Sequence, residues 1–295
     1  MFNPLVSILT TVFNRDQYLS YCIESVLCST YLEWELIIVD DLSTDHSIDI
    51  ANKYALKDRR IKVFQNEKNL GDYPNRNKAA SLASGKYIKY LDADDMIYPY
   101  TLEIMVNAME QFPEAALGIS EDVVEDYHPY PFQLTTQETF QRQFLRRGIL
   151  GVGPTATIIR KDAFDQIGGF SGKRYIGDVE CWLKLTSLFP LVKIQSGLVF
   201  WRRHEGQEFD LGHTTNSYLK MNYQMNLEAL KSEDCPLTPE EKAMAVSKIQ
   251  KRHSRDIFNL ATKKLKPLQA YDVLRETRFS LKKFCNRFFL LNQPD

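Results

Sequence analysis

The first third of the chain alternates continuous apolar runs with amphipathic segments. Apolar runs at residues 5–13 (LVSILTTVF) and 34–40 (WELIIVD) are typical of parallel strands that are covered on both faces. Shorter runs at 61–65 and 87–91 predict two more strands, and apolar residues recur at helical spacing over residues 16–27. Strands and helices that alternate with short links predict a doubly wound, mostly parallel α/β sheet with right-handed crossovers.

The middle of the chain continues this pattern with longer polar links. The polar segment 66–75 predicts a loop, and the small residues of 75–84 predict a helix that ends at Gly85. Residues 191–204 (LVKIQSGLVFWRRH) predict a single strand. Further helical patterns are found at 100–112, at 176–190 and from about Tyr218 onward.

Length and charge both predict an appended C-terminal part. At 295 residues the chain exceeds the usual size of one domain. From Lys242 to the end it holds 13 of the 37 Lys and Arg but 4 of the 38 Asp and Glu, so this part carries +9 and the remainder −10. We expect residues 1–115 and 116–212 to form the two halves of one α/β domain, and residues 213–295 to form a basic helical extension.

The basic extension has two interpretations. Its helices could lie on an anionic membrane, where each Lys or Arg near the headgroups contributes about 1 kcal/mol. Alternatively, they pack their apolar faces on the chain's own domain, which is the commoner arrangement of amphipathic helices. Nucleic acid is not expected as a partner, because the basic residues accompany no recognition motif and the rest of the chain is acidic.

Hydropathy and cysteine usage predict a cytoplasmic protein. No stretch approaches the ~18 apolar residues that a membrane span needs, and the N-terminus (MFNPLVSILTTVFN) lacks a basic leader. The five cysteines are odd in number, scattered and without a CxxC pair. This usage indicates a reducing compartment and speaks against a zinc site or a disulfide framework. A peripheral contact with the inner face of the membrane is compatible with this location.

A cluster of three carboxylates follows the predicted fourth strand. Asp92, Asp94 and Asp95 lie within four residues at the strand's carboxyl end, where ligands bind in open α/β sheets. Hard divalent cations prefer such oxygen ligands. The alternative is a solvated turn whose Asp side chains cap the next helix. The DxD pattern alone leaves both interpretations open.

The predicted second strand also ends in acidic residues, Asp40 and Asp41. Rossmann-like sheets use a carboxylate at this place to accept hydrogen bonds from a nucleoside, although Asp is also favoured at the start of any helix. The first strand lacks the GxGxxG of dinucleotide-binding enzymes and the chain lacks a Walker motif. It also lacks GxSxG and HExxH patterns, so hydrolase classes find no support.

Five segments in fixed order resemble one enzyme family. They read VSILTTVFNRDQYLSYCIESVL, WELIIVDDLSTD, NLG followed by NRNKAASLASGKYIKYLDADD, GPTATIIRKDAFDQIGGF, and IGDVECWLKL. Together they resemble the SpsA-like family 2 inverting glycosyltransferases of GT-A fold over residues 5–206. The resemblance implies a Rossmann-like, mostly parallel sheet flanked by helices, with the C-terminal helical extension outside the matched region.

The resemblance also assigns roles to particular residues. It implies that the nucleotide lies against residues at the first, second and fourth strand ends and on the following helices: Thr11, Asn14, Asp40, Asp41, Arg76, Asn77 and Asp92. It implies Asp94 as the metal ligand, and places the pyrophosphate near Arg203 and His204, with His204 as a possible ligand of the metal. Mg²⁺ or Mn²⁺ is the implied cofactor.

The implied general base is Asp178. Many relatives read Glu-Asp at this point, whereas Gly177 precedes Asp178 here, so Asp178 is the only carboxylate of the pair. Glu180 is a second candidate for this role. Without the resemblance, an Asp that caps the helix VECWLKL would be the simpler interpretation.

These observations predict a metal-dependent inverting transferase. Its donor would be a nucleotide-sugar, with UDP favoured, and its acceptor a saccharide or lipid-linked saccharide in polysaccharide or glycoconjugate synthesis. A nucleotidylyltransferase is one alternative, but the Gly-rich, Arg-containing loop that it needs after the first strand is absent. A non-catalytic nucleotide-sugar-binding subunit of an assembly complex is another.

Overall fold

The computed structural model describes residues 3–120, 128–204, 207 and 212–280. Its strands are β1 (Val6–Val12), β2 (Trp34–Asp40), β3 (Ile61–Gln65), β4 (Tyr87–Tyr90), β5 (Met96–Ile97), β6 (Leu117–Ser120), β7 (Phe132–Leu134), β8 (Thr157–Arg160), β9 (Leu191–Ile194) and β10 (Val199–Phe200). Its helices are α1 (Asp16–Leu27), α2 (Ser47–Ala55), α3 (Asp72–Ser81), α4 (Thr101–Gln111), α5 (Thr136–Leu145), α6 (Lys161–Gln166), α7 (Gly177–Leu188), α8 (Ser217–Lys231), α9 (Pro239–Thr262) and α10 (Pro267–Glu276).

One eight-stranded sheet organises the first part of the chain. Its strand order is β3-β2-β1-β4-β8-β6-β9-β7, and β3, β2, β1 and β4 are parallel. Strand β8 runs antiparallel to both of its neighbours, and β7 runs antiparallel to β9. The prediction of a mostly parallel α/β sheet flanked by helices is therefore confirmed, with β8 and β7 as its antiparallel strands.

The central strands are apolar throughout because helices cover both faces of the sheet. All seven residues of β2 are buried, as are six of the seven in β1. The helices supply matching apolar faces, so that Leu19, Cys22, Ile23 and Val26 of α1 are fully buried. Burial on both faces explains why these strands lack polar alternation in the sequence.

Two predicted elements differ from the structure. Helix α3 begins at Asp72 rather than at residue 75, since Pro74 lies in the first turn, where its missing N–H costs nothing. The single strand predicted over 191–204 is instead two strands, β9 in the large sheet and β10 in a two-stranded sheet with β5. Gly197, whose φ is +79°, breaks the run between them.

The chain divides into two compact units. The first comprises Met1–Thr139 and Ile149–Arg203, and the second comprises Phe140–Gly148 and the chain from His204 onward. The predicted division at residues 115 and 212 stays a prediction. Residues 281–295 of the predicted extension lie outside the described part.

The second unit is helical, as predicted from residue 218 onward. Helices α8, α9 and α10 share a small core, in which the His253 ring stacks on Tyr223 at 4.0 Å between centroids. Helix α9 begins with a capping box between Thr238 and Glu241. Within the described residues, no helix is both long and apolar enough to span a membrane.

Candidate active site

The candidate site lies in the first unit, at the carboxyl ends of β1, β2 and β4. Because these parallel strands run in one direction, their last residues meet at one edge of the sheet. Val12 pairs with Asp40 in the β1–β2 register, and half-buried Thr11 pairs with Val39. The sheet therefore brings Thr11 together with Asp40 and Asp41, and it places Asp92 just beyond the end of β4.

Asp41 is buried and holds the loop between β3 and α3. Its carboxylate accepts hydrogen bonds from the Asn66 side chain at 2.6 Å and from the main-chain N–H groups of Leu70 at 2.8 Å and Gly71 at 2.9 Å. A carboxylate has about four acceptor positions, so one remains after these three donors. Asp41 thus shapes the loop and can accept one further hydrogen bond.

Asp40 is also buried, and its two oxygens differ in their hydrogen bonds. Oδ2 accepts hydrogen bonds from the N–H of Ser43 at 3.0 Å and from Nε2 of Gln65 at 3.1 Å. Within the described part of the chain, Oδ1 is enclosed without a hydrogen-bond donor. Buried polar atoms are normally satisfied, so a donor group from a ligand or a water is expected there.

The loop after β1 is fixed by Asn14, whose φ is +53°. Its N–H donates to Ser43 Oγ at 2.9 Å, and its Oδ1 accepts from the N–H of Thr44 at 2.8 Å. These contacts join the β1–α1 loop to the β2–α2 loop. Next to Asn14, Arg15 donates from Nε to Asp94 Oδ2 at 3.3 Å. Arg15 is therefore a basic residue of the site that the sequence analysis missed.

Arg76 connects helix α3 to the carboxylate cluster. Its guanidinium donates to Asp92 Oδ1 at 2.7 Å and to Asp72 Oδ1 at 2.7 Å. The side chain is about nine-tenths buried, and the two carboxylates raise its pKa against the opposing effect of burial. Arg76 stays charged and fixes the orientation of Asp92, as buried paired charges require.

Arg202 also contacts the carboxylate cluster, at Asp94 and Asp95. Its N–H donates to Asp95 Oδ1 at 3.0 Å, and its Nε donates to the main-chain oxygen of Asp94 at 2.9 Å. Burial and then the charge of Asp92 raise the pKa of Asp95 to about 7. The sequence analysis assigned the neighbouring Arg203 to the pyrophosphate, but Arg203 is exposed and lies over the Trp201 ring at 4.9 Å.

A buried lysine on β4 holds the main chain next to the aspartates. Lys89 of β4 is completely buried, and its ammonium donates to the main-chain oxygens of Thr155 and, at 3.0 Å, of Tyr90. Burial lowers its pKa to about 7, although Asp92 and Asp95 favour the charged form. Thr155 also accepts the N–H of Asp92 at 3.2 Å. These contacts fix the turn in which the cluster lies.

Asp178 is the second residue of α7 and is half-buried. Its carboxylate accepts the N–H of Val179 at 2.8 Å, and its own N–H donates to the hydroxyl of Tyr73 on α3 at 3.2 Å. Burial raises the pKa of Asp178 to about 6, with Arg76 acting in the opposite direction. The structure therefore brings Asp178 to the same helix whose Arg76 binds Asp92.

Glu180, the second candidate for the base, is already paired. It accepts a hydrogen bond from Ser171 and forms an ion pair with Lys173 at 2.9 Å. These partners lower its pKa despite partial burial. A carboxylate stabilised in this way is a weaker proton acceptor than Asp178.

Two further predicted residues have other contacts in the structure. The Asn77 side chain exchanges two hydrogen bonds with the main chain of Phe170, at 2.8 and 2.9 Å, and so joins α3 to the loop before α7. His204 belongs to the second unit, where its N–H donates to Gln207 at 3.2 Å. The assigned roles of all the predicted site residues, Asn77, Arg203 and His204 among them, stay predictions.

The acidic residues fit a cation only with help from a ligand. Among the described residues, no group of three or more His, Cys, Asp and Glu side chains is arranged to hold a metal ion. Asp94 is accessible enough to serve, since 14% of its side chain is exposed, and Mg²⁺ sites commonly combine one or two carboxylates with substrate phosphates. The Asp94 carboxylate would therefore hold a cation together with the oxygens of a bound diphosphate.

The mostly parallel sheet, flanked by helices, defines an α/β fold of the GT-A type. The fold is that of S. aureus TarS residues 1–349, solved in complex with UDP-GlcNAc, with a TM-score of 0.71 and 19% identity over 91% of this chain and 79% of that one. It is also that of the mannosyltransferase PcManGT from Pyrobaculum calidifontis, solved with GDP-Man and Mn²⁺, with a TM-score of 0.63 and 14% identity over 98% and 80%.

Sequence comparison gives the family. The model of glycosyl transferase family 2 matches residues 7–168, more than half of the chain, and the chain belongs to this family. The glycosyltransferase GlyG of Streptococcus pneumoniae is 26% identical over 227 residues, which cover 71% of this chain and 75% of GlyG. WcaA of Escherichia coli, whose name refers to colanic acid biosynthesis, is 37% identical over 156 residues, which cover 50% and 55%.

Proposed function

We propose that this chain is an inverting glycosyltransferase that moves a sugar from a nucleotide-sugar, with UDP favoured, to a saccharide or lipid-linked saccharide. The observation that supports this best is the connection through α3. Within one turn of this helix, the Tyr73 hydroxyl accepts the N–H of Asp178 and Arg76 donates to Asp92 beyond the end of β4. A proton acceptor and the donor-side carboxylates are thus attached to one rigid element.

The proposed reaction is a single displacement at the anomeric carbon. The acceptor hydroxyl oxygen forms a bond to this carbon from the face opposite the diphosphate, and the bond from carbon to the diphosphate oxygen breaks with its electron pair on that oxygen. The acceptor proton passes to the carboxylate of Asp178. A pKa of about 6 suits this role, because the group is ionised at neutral pH yet still a useful base. The products are the inverted glycoside and a nucleoside diphosphate.

The donor would lie at the strand ends. Asp41 has one free acceptor position for a base N–H, and Asp40 Oδ1 can accept a further hydrogen bond. Arg15 donates to the carboxylate of Asp94 and Arg202 to its main-chain oxygen, so both cations would stabilise the negative charge of a diphosphate bound there. Asp94 would hold Mg²⁺ or Mn²⁺ together with the diphosphate, and the ion would stabilise charge on the leaving group.

The acceptor class is inferred from the relatives. WcaA bears a name from polysaccharide biosynthesis, which favours a saccharide acceptor and a place in polysaccharide or glycoconjugate synthesis. We propose that the enzyme acts in the cytoplasm, where nucleotide-sugars are the expected donors.

We also propose that the second unit contacts an anionic membrane surface through the turn between α9 and α10. Residues 262–269 are all exposed, including Lys263, Lys264 and Lys266. Leu265 and Leu268 are each 81% exposed. Lysines beside exposed leucines match the negative charge and the apolar interior of an anionic bilayer. Three lysines would contribute about 3 kcal/mol to the free energy of membrane binding.

Vesicle co-sedimentation tests this contact. Vesicles with a third of anionic lipid should bind the protein, and the double variant Leu265→Ser, Leu268→Ser should bind at least fivefold less. Leu56→Ser is the matched control, since Leu56 is 89% exposed in the first unit beside Lys57. Equal binding by all three proteins, or equal binding to zwitterionic vesicles, would overturn the proposal.

The transfer reaction is tested by donor turnover. UDP-, dTDP- and GDP-sugars are offered with and without Mn²⁺, and release of the nucleoside diphosphate is measured. We expect turnover of one donor class, and a kcat/KM that falls as pH drops below about 6, because the base must be ionised. Asp178→Asn should lose at least 10²-fold in kcat while UDP binding by calorimetry is retained.

Three outcomes would contradict the proposal. Pyrophosphate release from a nucleoside triphosphate would indicate a nucleotidylyltransferase. Nucleotide-sugar binding without turnover in the wild-type protein would indicate a binding subunit. No binding of any of the three nucleotides at millimolar concentration would remove the nucleotide assignment altogether.

A further inference from the structure

Tyr73 lies between α3 and the first turn of α7. Its side chain is buried, with 6% exposed, and its hydroxyl oxygen accepts the N–H of Asp178 at 3.2 Å. The first N–H groups of a helix have no partner within the helix, and α7 has no side-chain cap from its N-cap residue Ile176. Tyr73 thus supplies an acceptor that α7 itself lacks.

The Tyr73 ring fills the space that a side chain at position 177 would need. A Cβ atom on Gly177 would lie 2.7 Å from Cε2 and 2.7 Å from Cζ of Tyr73, closer than any such contact allows. The Tyr73 ring can therefore occupy its position only while residue 177 is a glycine. This explains in physical terms why Gly177 stands before Asp178 in this chain.

The Tyr73 ring is itself held in a rigid frame. It packs against Phe170 with 5.1 Å between ring centroids, and the main chain of Phe170 is bound by Asn77 of α3. Burial, followed by the charge of Asp178, raises the pKa of Tyr73 far above its ordinary value, so the phenol stays neutral. It therefore adds no second charge beside the carboxylate.

Tyr73 and Arg76 are three residues apart on α3 and so share one face of the helix. Arg76 binds Asp92 at the end of β4, while Tyr73 binds the N–H of Asp178. One helical turn thereby sets the separation between Asp178 and the donor-side aspartates. A displacement of about 1 Å between reacting groups can cost ~10²-fold in rate, so this spacing matters for catalysis.

We propose that Tyr73 is a positioning residue that fixes the Asp178 carboxylate relative to the donor, and that Gly177 provides the gap that Tyr73 occupies. This inference rests on the proposed function, in which Asp178 accepts the acceptor proton. Tyr73 acts through Asp178 and does not itself take part in the bond changes.

The test variant is Tyr73→Phe, which keeps the ring and removes only the hydroxyl. We expect kcat to fall about 10-fold, with the donor KM within twofold of wild type, because the donor contacts at the strand ends are unchanged. Tyr31→Phe is the matched control. Tyr31 is also 6% exposed, and its hydroxyl donates to the main-chain oxygen of Pro4 at 2.5 Å, outside the candidate site. Its kcat and KM should equal those of wild type.

A second pair of variants tests the dependence between positions 73 and 177. Gly177→Ala should lower kcat strongly because its Cβ meets the tyrosine ring. The combination Tyr73→Ala, Gly177→Ala should lose less than the product of the two single effects, because the clash is absent. The melting temperature of every variant is measured, so that loss of folding is distinguished from loss of turnover.

The outcomes separate this inference from the proposed function. If wild type turns over donor and Asp178→Asn does not, while Tyr73→Phe equals wild type, the positioning role is wrong and the proposed function stands. A raised KM with unchanged kcat in Tyr73→Phe would also overturn it, because Tyr73 would then serve donor binding. If wild type itself turns over no donor, both proposals fail, and the wild-type assay alone shows this.

Discussion

Replacing Asp178 by Asn should lower kcat at least 10²-fold and yet make the protein more stable at alkaline pH. Each pKa unit corresponds to about 1.4 kcal/mol between two protonation states. Raising the pKa of Asp178 from 3.8 to about 6 therefore means that its ionised form costs about 3 kcal/mol in the folded state. Asn resembles the neutral carboxylic acid, so the variant should avoid this cost.

The gain should depend on pH in a defined direction. Because the folded-state pKa lies above the unfolded value, the carboxylate is harmless below about pH 4, where both states are protonated. Its cost grows between about 4 and 6 and is complete above that range. Urea unfolding should therefore show Asp178→Asn up to about 3 kcal/mol more stable than wild type at pH 8, and within about 1 kcal/mol at pH 4.

Glu180→Gln is the control from the same helical turn. Its pKa is lowered by Ser171 and Lys173, so the ionised Glu180 stabilises the fold above its ordinary pKa, and this contribution is lost as pH falls. The Gln variant should accordingly be less stable than wild type at pH 8. If Asp178→Asn is also less stable at pH 8, or if its gain is equal at pH 4 and pH 8, the reasoning about the buried carboxylate is refuted.

Three further changes test other parts of the structure. Gly85→Ala should destabilise the protein by about 3 kcal/mol in urea unfolding, since its Cβ would lie 2.6 Å from Ser7 N and 2.7 Å from Leu5 O; an unchanged midpoint would contradict this contact. Asp41→Asn should cost about 2 kcal/mol and weaken UDP binding in calorimetry, because an amide cannot accept all three donors; retained affinity would exclude a donor role. Wild type should lose stability as pH falls from about 6.5 to about 4, because burial lowers the pKa of His253 to about 4 and the unfolded state is protonated first. His253→Phe should abolish this loss, and equal pH profiles of the two proteins in urea unfolding would refute the reasoning.

The order of strands and helices in the first unit could be predicted because burial on both faces leaves a local signal. Strands β1 and β2 are continuous apolar runs, and α1 shows its apolar face at regular spacing. The break at Gly197 was missed, although the polar Gln195 and Ser196 directly before this glycine separate the two apolar runs and are typical of a turn. Such a turn has no signature in periodicity.

Without the family resemblance, the candidate site was predictable only where its residues end a strand. Asp41 and Asp92 follow apolar runs directly, so strand direction alone indicates that they are neighbours. Arg15, Arg202 and Tyr73 gave no such signal, because their partners lie far along the chain. Tyr73 was also missed because residues 66–75 were assigned to a loop. The glycine at 177, where many relatives have a Glu before the Asp, could have prompted a search for the residue that fills the space of the missing side chain.

The reversed direction of β8 has a consequence for protein engineering. Since β8 pairs with both β4 and β6, its first residues and not its last lie beside Asp92, with Thr155 accepting the N–H of that residue. A chimera that joins the part of this chain before β6 to the later part of a relative would place a foreign β8 between β4 and the rest of the sheet. Grafts that keep residues 154–160 with the parental first half would preserve the β4–β8 pairing and the contact between Thr155 and Asp92. This gives a rule for choosing crossover points in recombination libraries.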